Sequence, residues 1–261
     1  MSLGDKHYRA RITSRRDLAP DLWMIRVDPG GEFAFVPGQY ATLGVERDSR
    51  LVERAYSIAS APHEKELEFF FELVPEGKTT PPLHDFYPGD EVVMRKVAKG
   101  HFTLDLTQPS RTNHLLLSTV TGIAPFVSYV RTLFREWKKG RFSGEHKLFL
   151  LNGASRSWEF GYREELEKIA AEVPWFTCVF TVSRPLEDES WKGEIGRVDD
   201  LLRKYADEWD CTSANSVAYL CGHPEMIARG KSILKRVGFQ KENLKEEFYW
   251  IPARTAGGAV A

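Results

Sequence analysis

Cysteine is scarce in this chain: three residues in 261 (Cys178, Cys211, Cys221), none spaced as C-x-x-C. That excludes a disulfide framework and leaves too few thiolates for a conventional iron–sulfur centre. The seven histidines are scattered without an H-E-x-x-H or similar spacing, so no metal site is expected. No apolar run approaches the ~20 residues of a membrane span. The start, Met1-Ser-Leu-Gly-Asp-Lys, lacks the apolar centre of a signal peptide. An excess of one charge is missing too: 36 Lys plus Arg stand against 37 Asp plus Glu, a net of -1. Neither half has the strong basic surplus that binding a phosphate backbone needs. A soluble, cytoplasmic protein without nucleic-acid or membrane partners is the expectation. G-x-G-x-x-G and Walker A patterns are also absent, which removes the two commonest phosphate-loop modes.

What is present falls into two grammars. Before residue 108, short β-rich runs recur between turns: Tyr8 to Thr13, Leu22 to Val27, Tyr40 to Val45, Ala55 to Ala59, Leu67 to Val74 and Glu91 to Lys96. Pro29-Gly30-Gly31, Pro37-Gly38, Pro75-Glu76-Gly77 and Pro88-Gly89-Asp90 punctuate them. Many short strands at such spacing predict an antiparallel sandwich or barrel, with one short helix near Pro82 to Phe86. From residue 109 the pattern alternates. Leu115-Leu116-Leu117 reads as a strand buried on both faces, and Phe126, Val127, Val130, Leu133, Phe134 and Trp137 form one helical stripe. Further strands are expected at Lys147 to Leu151, Phe176 to Val182 and Val217 to Cys221. Helices are expected at Gly161 to Glu172, Arg197 to Ala206 and Pro224 to Val237. The expectation is therefore two domains, an antiparallel β-barrel (1–108) and an α/β domain with a five-stranded parallel sheet (109–250), followed by a tail (251–261). Ligands in such sheets sit at the carboxyl ends of the strands, an edge that would face the barrel.

Five motifs carry candidate chemistry. Arg54-Ala55-Tyr56-Ser57 sets a guanidinium fork, a flat ring and a hydroxyl on one strand, suited to a pyrophosphate and a planar ring system. An ordinary strand would also explain it. Pro75-Glu76-Gly77-Lys78-Thr79-Thr80 before a helix start reads as an anion cradle or as a plain turn with a Thr cap. Ser118-Thr119-Val120-Thr121-Gly122-Ile123-Ala124-Pro125 lies at a strand-to-helix junction where backbone can approach a cofactor closely. Leu220-Cys221-Gly222-His223-Pro224-Glu225 is a second such junction, with Cys221 either a soft cofactor contact or a buried structural thiol. Phe248-Tyr249-Trp250 would shield a planar group or end the last strand.

In this order the motifs resemble the ferredoxin–NADP reductase family, in particular its bacterial branch of small FAD enzymes, and they span nearly the whole chain. The resemblance implies an FAD-binding barrel followed by an NADP-binding α/β domain. It implies that Arg54 and Ala55 hold FAD with Tyr56 packed on its ring system, and that Ser57 hydrogen-bonds the reactive nitrogen. It further implies backbone contacts from Phe70, Phe71 and Glu72, and pyrophosphate contacts from Gly77, Thr79 and Thr80. Thr121 would lie where nicotinamide meets flavin, Cys221 and Glu225 would line that point, and Tyr249 and Trp250 would cover the flavin and adenine. Arg184 and Arg197 match positions that grip the 2′-phosphate of NADP(H), with Arg156 the third candidate. Two departures stand out: Val120 replaces the family's usual Gly, and Ser155, rather than Arg156, aligns with the third arginine.

The implied reaction is hydride transfer between NADP(H) and FAD and single-electron exchange with a separate ferredoxin or flavodoxin. An acidic carrier docking transiently, and electrostatically, on a monomer is expected; Arg131, Arg135 and Lys138 or Lys139 fall on one helix face, with Arg141 just beyond, as a candidate docking surface or an ordinary solvated face. A reductase component of an oxygenase or hydrogenase system, using NADH or NADPH, is the alternative. A flavin-binding redox sensor without turnover is the alternative of another class.

Overall fold

A computed structural model of the chain describes residues 5–47 and 50–248. Strands β1 (His7–Ala19), β2 (Leu22–Asp28), β3 (Tyr40–Arg47), β4 (Arg50–Ser57), β5 (Leu67–Glu72) and β6 (Glu91–Arg95) form one antiparallel sheet in the order β4-β3-β6-β1-β2-β5. Its two edges meet beyond β4, where the Ala59 N–H donates to Glu68 O at 2.9 Å and the Glu68 N–H donates to Ser60 Oγ at 3.1 Å. The barrel is thus seamed by two bonds rather than a full ladder. Alternation along β5 shows how the strand serves two cores. Phe69 and Phe71 fill the barrel with Trp23, Leu43 and Met94, while Phe70 points the other way. The short helix α1 (Thr80–His84) follows β5. β1 runs six residues past the expected end because its charged second half, Arg15 to Asp17, pairs with Met24, Trp23 and Ile25 of β2. The ladder, not hydrophobic alternation, keeps that segment extended.

The second half is a parallel sheet ordered β10-β9-β8-β7-β11-β12. Its strands are β7 (Asn113–Thr119), β8 (Lys147–Ala154), β9 (Phe176–Val182), β10 (Glu194–Ile195), β11 (Ser216–Gly222) and β12 (Leu244–Phe248). Helices α2 (Ala124–Lys138) and α3 (Arg163–Glu172) cover one face, and α4 (Val198–Glu208) and α5 (Pro224–Arg236) the other. β7, β8, β9 and β11 match the expected runs, and β12 ends at Phe248, where the expected terminal motif begins. The sixth, β10, has two residues and no apolar run to betray it. It is held to β9 by parallel pairing with Thr181 and Val182 and by Thr181 Oγ1 donating to Gly196 O at 2.9 Å. Strand order reverses between β7 and β11, so the crevice for a dinucleotide lies beyond their carboxyl ends.

One hydrophobic cluster joins the two sheets. It runs from Leu22, Met24, Ala59 and Phe70 of the barrel to Phe126, Val130, Tyr162 and Tyr219. Gly161 packs closely at this seam: a Cβ there would lie 2.1 Å from Met24 Cε, so the flexible Met24 side chain would have to move. Beside it, Arg131 of α2 pairs with Glu68 at 3.1 Å, Glu64 at 3.7 Å and Glu165 at 2.7 Å. Its side chain is only 13% exposed. Arg131 therefore fastens barrel to sheet and is not part of a docking face. The rest of the expected basic stripe is largely matched by acids as well, Lys138 with Glu172 and Arg141 with Glu136.

At the opposite, amino-terminal edge, buried His114 and His146 face each other, Nε2 to Nδ1 at 3.0 Å. Burial, with the neighbouring His146, pushes the His114 pKa down to about 3, against a slight upward pull from Asp105. The unfolded imidazole takes up its proton near pH 6.5 and the folded one does not. Stability is therefore lost as pH falls from about 6.5 towards 3. At pH 5 the loss from this group is about 2 kcal/mol, at 1.36 kcal/mol per pKa unit. Thermal melts of His114→Leu should fall less than wild type between pH 7 and 5; parallel curves would refute this.

Candidate functional site

Two strand-to-helix junctions interlock at the switch point. A Cβ on Gly122 would lie 2.3 Å from Cys221 O, and one on Gly222, at φ +132°, would lie 2.3 Å from Thr119 Oγ1. The same Thr119 hydroxyl accepts the His223 N–H at 2.9 Å. Residues 119 and 122 are thus pinned against 221–223, and the backbone between them has little freedom. Val120 absorbs the constraint at φ +42°, a left-handed geometry that is a genuine outlier for a β-branched residue. The usual Gly would sit there without strain. We expect Val120→Gly to be more stable than Val120→Ala by about 1 kcal/mol, reversing their normal order. Melts in which the Ala variant equals or exceeds the Gly variant would contradict the strain. Thr121, the next residue, is buried in the same turn.

The barrel contributes Ser57 to this point. Ser57 is buried at 5% exposure, and its Oγ donates to Glu247 Oε1 at 2.6 Å. Glu247 lies on β12 beside Cys221 of β11 in the parallel register, and Cys221 is fully buried. Burial raises the Glu247 pKa, partly offset by the Ser57 hydrogen bond. Residues 57, 221 and 247 therefore meet from three strands. Sequence reasoning missed Glu247, which reads as a surface acid in Lys245-Glu246-Glu247; only the β11–β12 register reveals it. Glu225 follows Cys221 by four residues at the same junction. It sits in the first turn of α5, with its carboxylate 3.6 Å from Arg197 Nη2. His223 is the N-cap of that helix, its Nδ1 accepting the Glu225 N–H at 3.2 Å.

The remaining barrel candidates lie on β4, on β5 and in the turn after β5. Arg54 and Ala55 are exposed on β4, with Arg54 Nη1 donating to Glu53 O at 2.8 Å. Tyr56 is held by an edge contact with Phe71 at 4.8 Å and by a 2.9 Å hydrogen bond between its hydroxyl and Thr79 Oγ1. Phe70 contacts Tyr162 edge-on, and Glu72 ends β5. Gly77 makes a tight turn, its N–H donating to Val74 O at 2.8 Å. Thr80 closes that turn, with Oγ1 accepting the Val74 N–H at 3.0 Å. The hydroxyls of Thr79 and Thr80 are thus engaged within the protein, and Pro81 and Pro82 remove two first-turn donors. Any anion here would meet the backbone N–H groups of residues 78–80. Tyr249 and Trp250 lie outside the described residues.

Three arginines reach the same carboxyl edge of the parallel sheet. Arg156 follows β8 and pairs with Glu159 at 3.3 Å and with Glu187. Arg184 follows β9 and lies 3.6 Å from Glu187 Oε1. Arg197 precedes α4 and pairs with buried Asp199 at 3.4 Å. Among the described residues no group of three or more His, Cys, Asp or Glu could hold a metal, and no helix is long and apolar enough to cross a membrane. Burial raises the thiols of Cys178 and Cys211 to about 12, which leaves them unreactive.

Comparison with known proteins agrees with this geometry. A family model described as an oxidoreductase NAD-binding domain matches residues 116–231. The ferredoxin–NADP reductase of Pseudomonas aeruginosa is 29% identical over 242 residues, covering 89% of this chain and 91% of that enzyme. Ferredoxin–NADP reductase A of Sorangium cellulosum is 31% identical, covering 86% and 81% respectively. The crystal structure of a ferredoxin NADP+ reductase from Neisseria gonorrhoeae with bound FAD and NADP superposes with a TM-score of 0.80 at 23% identity, over 94% of this chain and 99% of that one. The chain belongs to the ferredoxin–NADP reductase family.

Proposed function

We propose that this protein is an FAD-dependent ferredoxin or flavodoxin–NADP(+) reductase, moving hydride between NADP(H) and FAD and single electrons between FAD and a small carrier protein. The observation that carries the reading is the convergence of Ser57, Cys221 and Glu247 at the switch point, where the barrel meets the parallel sheet. The donor set suits a flavin dinucleotide: an exposed guanidinium at Arg54, a braced aromatic face at Tyr56, a Gly77 turn with backbone donors, and a buried hydroxyl at Ser57. Bound FAD supplies the redox chemistry itself; the protein supplies binding, orientation and electrostatics.

Each residue then has a task. Arg54 and the 78–80 amides hold pyrophosphate, and Tyr56, fixed by Thr79 and Phe71, sets the plane of the ring. Ser57 Oγ holds a proton beside the reacting edge. When Glu247 is ionised it accepts that proton's hydrogen bond. Burial raises the Glu247 pKa; a protonated Glu247 would donate to Ser57 Oγ and free the Ser57 O–H to donate to a bound flavin. Thr121 and Cys221 would bound the space for nicotinamide, and the interlocked glycines hold their backbone in place. Arg156, Arg184 and Arg197 form the nucleotide edge.

The same reading divides the chain into an FAD domain at 1–108, an NADP domain at 109–250 and a tail at 251–261, and sees it as a cytoplasmic monomer that meets its carrier transiently. Heat release and chromatography of the cofactor test the reading. One FAD per chain, with carrier-dependent reduction of cytochrome c by NADPH, is expected. FMN, or no flavin, would refute it.

A further inference from the structure

Each of the three edge arginines has an acidic partner, and one acid stands out among them. Glu159 holds the Ser155 N–H at 2.8 Å as well as Arg156, and buried Asp199 also binds Arg229 at 2.8 Å. Those carboxylates are part of the framework. Among the described residues, the ionic partners of the Glu187 carboxylate are two guanidiniums from two different loops, Arg156 and Arg184. Its position is fixed by backbone stitching. The Arg184 N–H donates to Ser155 O and the Ser183 N–H to Ala154 O, both at 3.0 Å, and the Glu187 N–H donates to Arg184 O at 3.0 Å. The Ser157 N–H donates to Asp188 Oδ2 at 2.7 Å. The loop after β9 is thereby sewn to the loop after β8, with Glu187 between the two forks. The Glu187 side chain is 48% exposed, so a ligand can reach it.

We propose that Glu187 is a specificity-determining residue that lowers this enzyme's preference for the 2′-phosphorylated nicotinamide nucleotide. The proposal rests on the reading that this edge takes a nicotinamide dinucleotide. A 2′-phosphate is a dianion that a pair of arginines suits, whereas an acidic residue at this edge suits an unmodified ribose hydroxyl. Glu187 occupies the Arg156–Arg184 pair. A 2′-phosphate must displace it and then tolerate a carboxylate alongside, a repulsive device of the kind that sets specificity by penalising one ligand. An unphosphorylated ribose meets no such penalty.

The test is calorimetric binding of 2′,5′-ADP and of 5′-ADP to FAD-loaded wild type and Glu187→Gln, together with kcat/KM for NADPH and NADH. Glutamine keeps the shape and removes the charge. The expected result is that 2′,5′-ADP binds the variant on the order of tenfold more tightly at low salt. Binding of 5′-ADP stays within about twofold, and the NADPH-to-NADH ratio of kcat/KM rises in step with the 2′,5′-ADP gain. Unchanged or weaker 2′,5′-ADP binding, with both nucleotides still bound, would overturn the proposal alone and make Glu187 a positioner of the arginines. Absence of binding of either nucleotide by either protein would refute the nucleotide-edge reading, and the proposal with it.

Discussion

Ser57→Ala is expected to slow anaerobic flavin reduction by NADPH about 10²-fold while FAD stays bound. The hydroxyl is buried, 2.6 Å from Glu247 Oε1. A loss of 10² corresponds to about 2.7 kcal/mol of barrier, within the range for one preorganised donor in a water-poor site. FAD retention follows because Arg54, Tyr56 and the Gly77 turn do not depend on the Ser57 side chain. Glu247→Gln removes the proton that Glu247 can hold and should also slow reduction, with a changed pH profile. Because the two residues act through one hydrogen bond, the double variant should lose much less than the product of the single losses. Stopped-flow rates of Ser57→Ala near those of wild type would remove the role. Multiplicative losses would show two independent effects instead of a relay.

Arg131→Ala should destabilise the folded protein by about 3 kcal/mol, the lower end for breaking a buried ion pair from one side. The guanidinium reaches Glu68, Glu64 and Glu165 and lies over Tyr162, 5.4 Å from the ring centroid. Glu68 has a second partner in Arg26 at 2.7 Å, which is why the upper end of the range is not expected. For a chain of this size the melting temperature should drop by roughly 5–6 °C. Arg135 is drawn into no comparable network among the described residues, so Arg135→Ala should shift the melt by less than about 0.5 kcal/mol. Equal, small shifts for both would mean that α2 carries a solvated basic face after all.

That contrast shows what the sequence could and could not yield. The two grammars, four of the parallel strands and the motif positions were legible because they depend on local chemistry: apolar runs, proline and glycine turns, and a proline in the first turn of α2. Arg131 was misjudged because helical spacing reveals a polar face but not that a second domain closes over it. Glu247 went unnoticed because its partner is 190 residues away in the chain. The hydrogen bonds of Thr79 to Tyr56 and of Thr80 to Val74 were not legible because their partners come from other segments of the barrel. Val120 is the opposite case. Its departure from glycine was visible in the sequence, and the structure supplies the reason that it matters, a positive φ forced by the contacts of Gly122 and Gly222.

The most direct test of the central claim is an anaerobic stopped-flow spectrum of the purified wild-type protein mixed with NADPH and, separately, with NADH. A yellow protein whose flavin absorbance bleaches with NADPH, faster than with NADH, is the predicted result. A flavin that neither nucleotide reduces would contradict the reductase account.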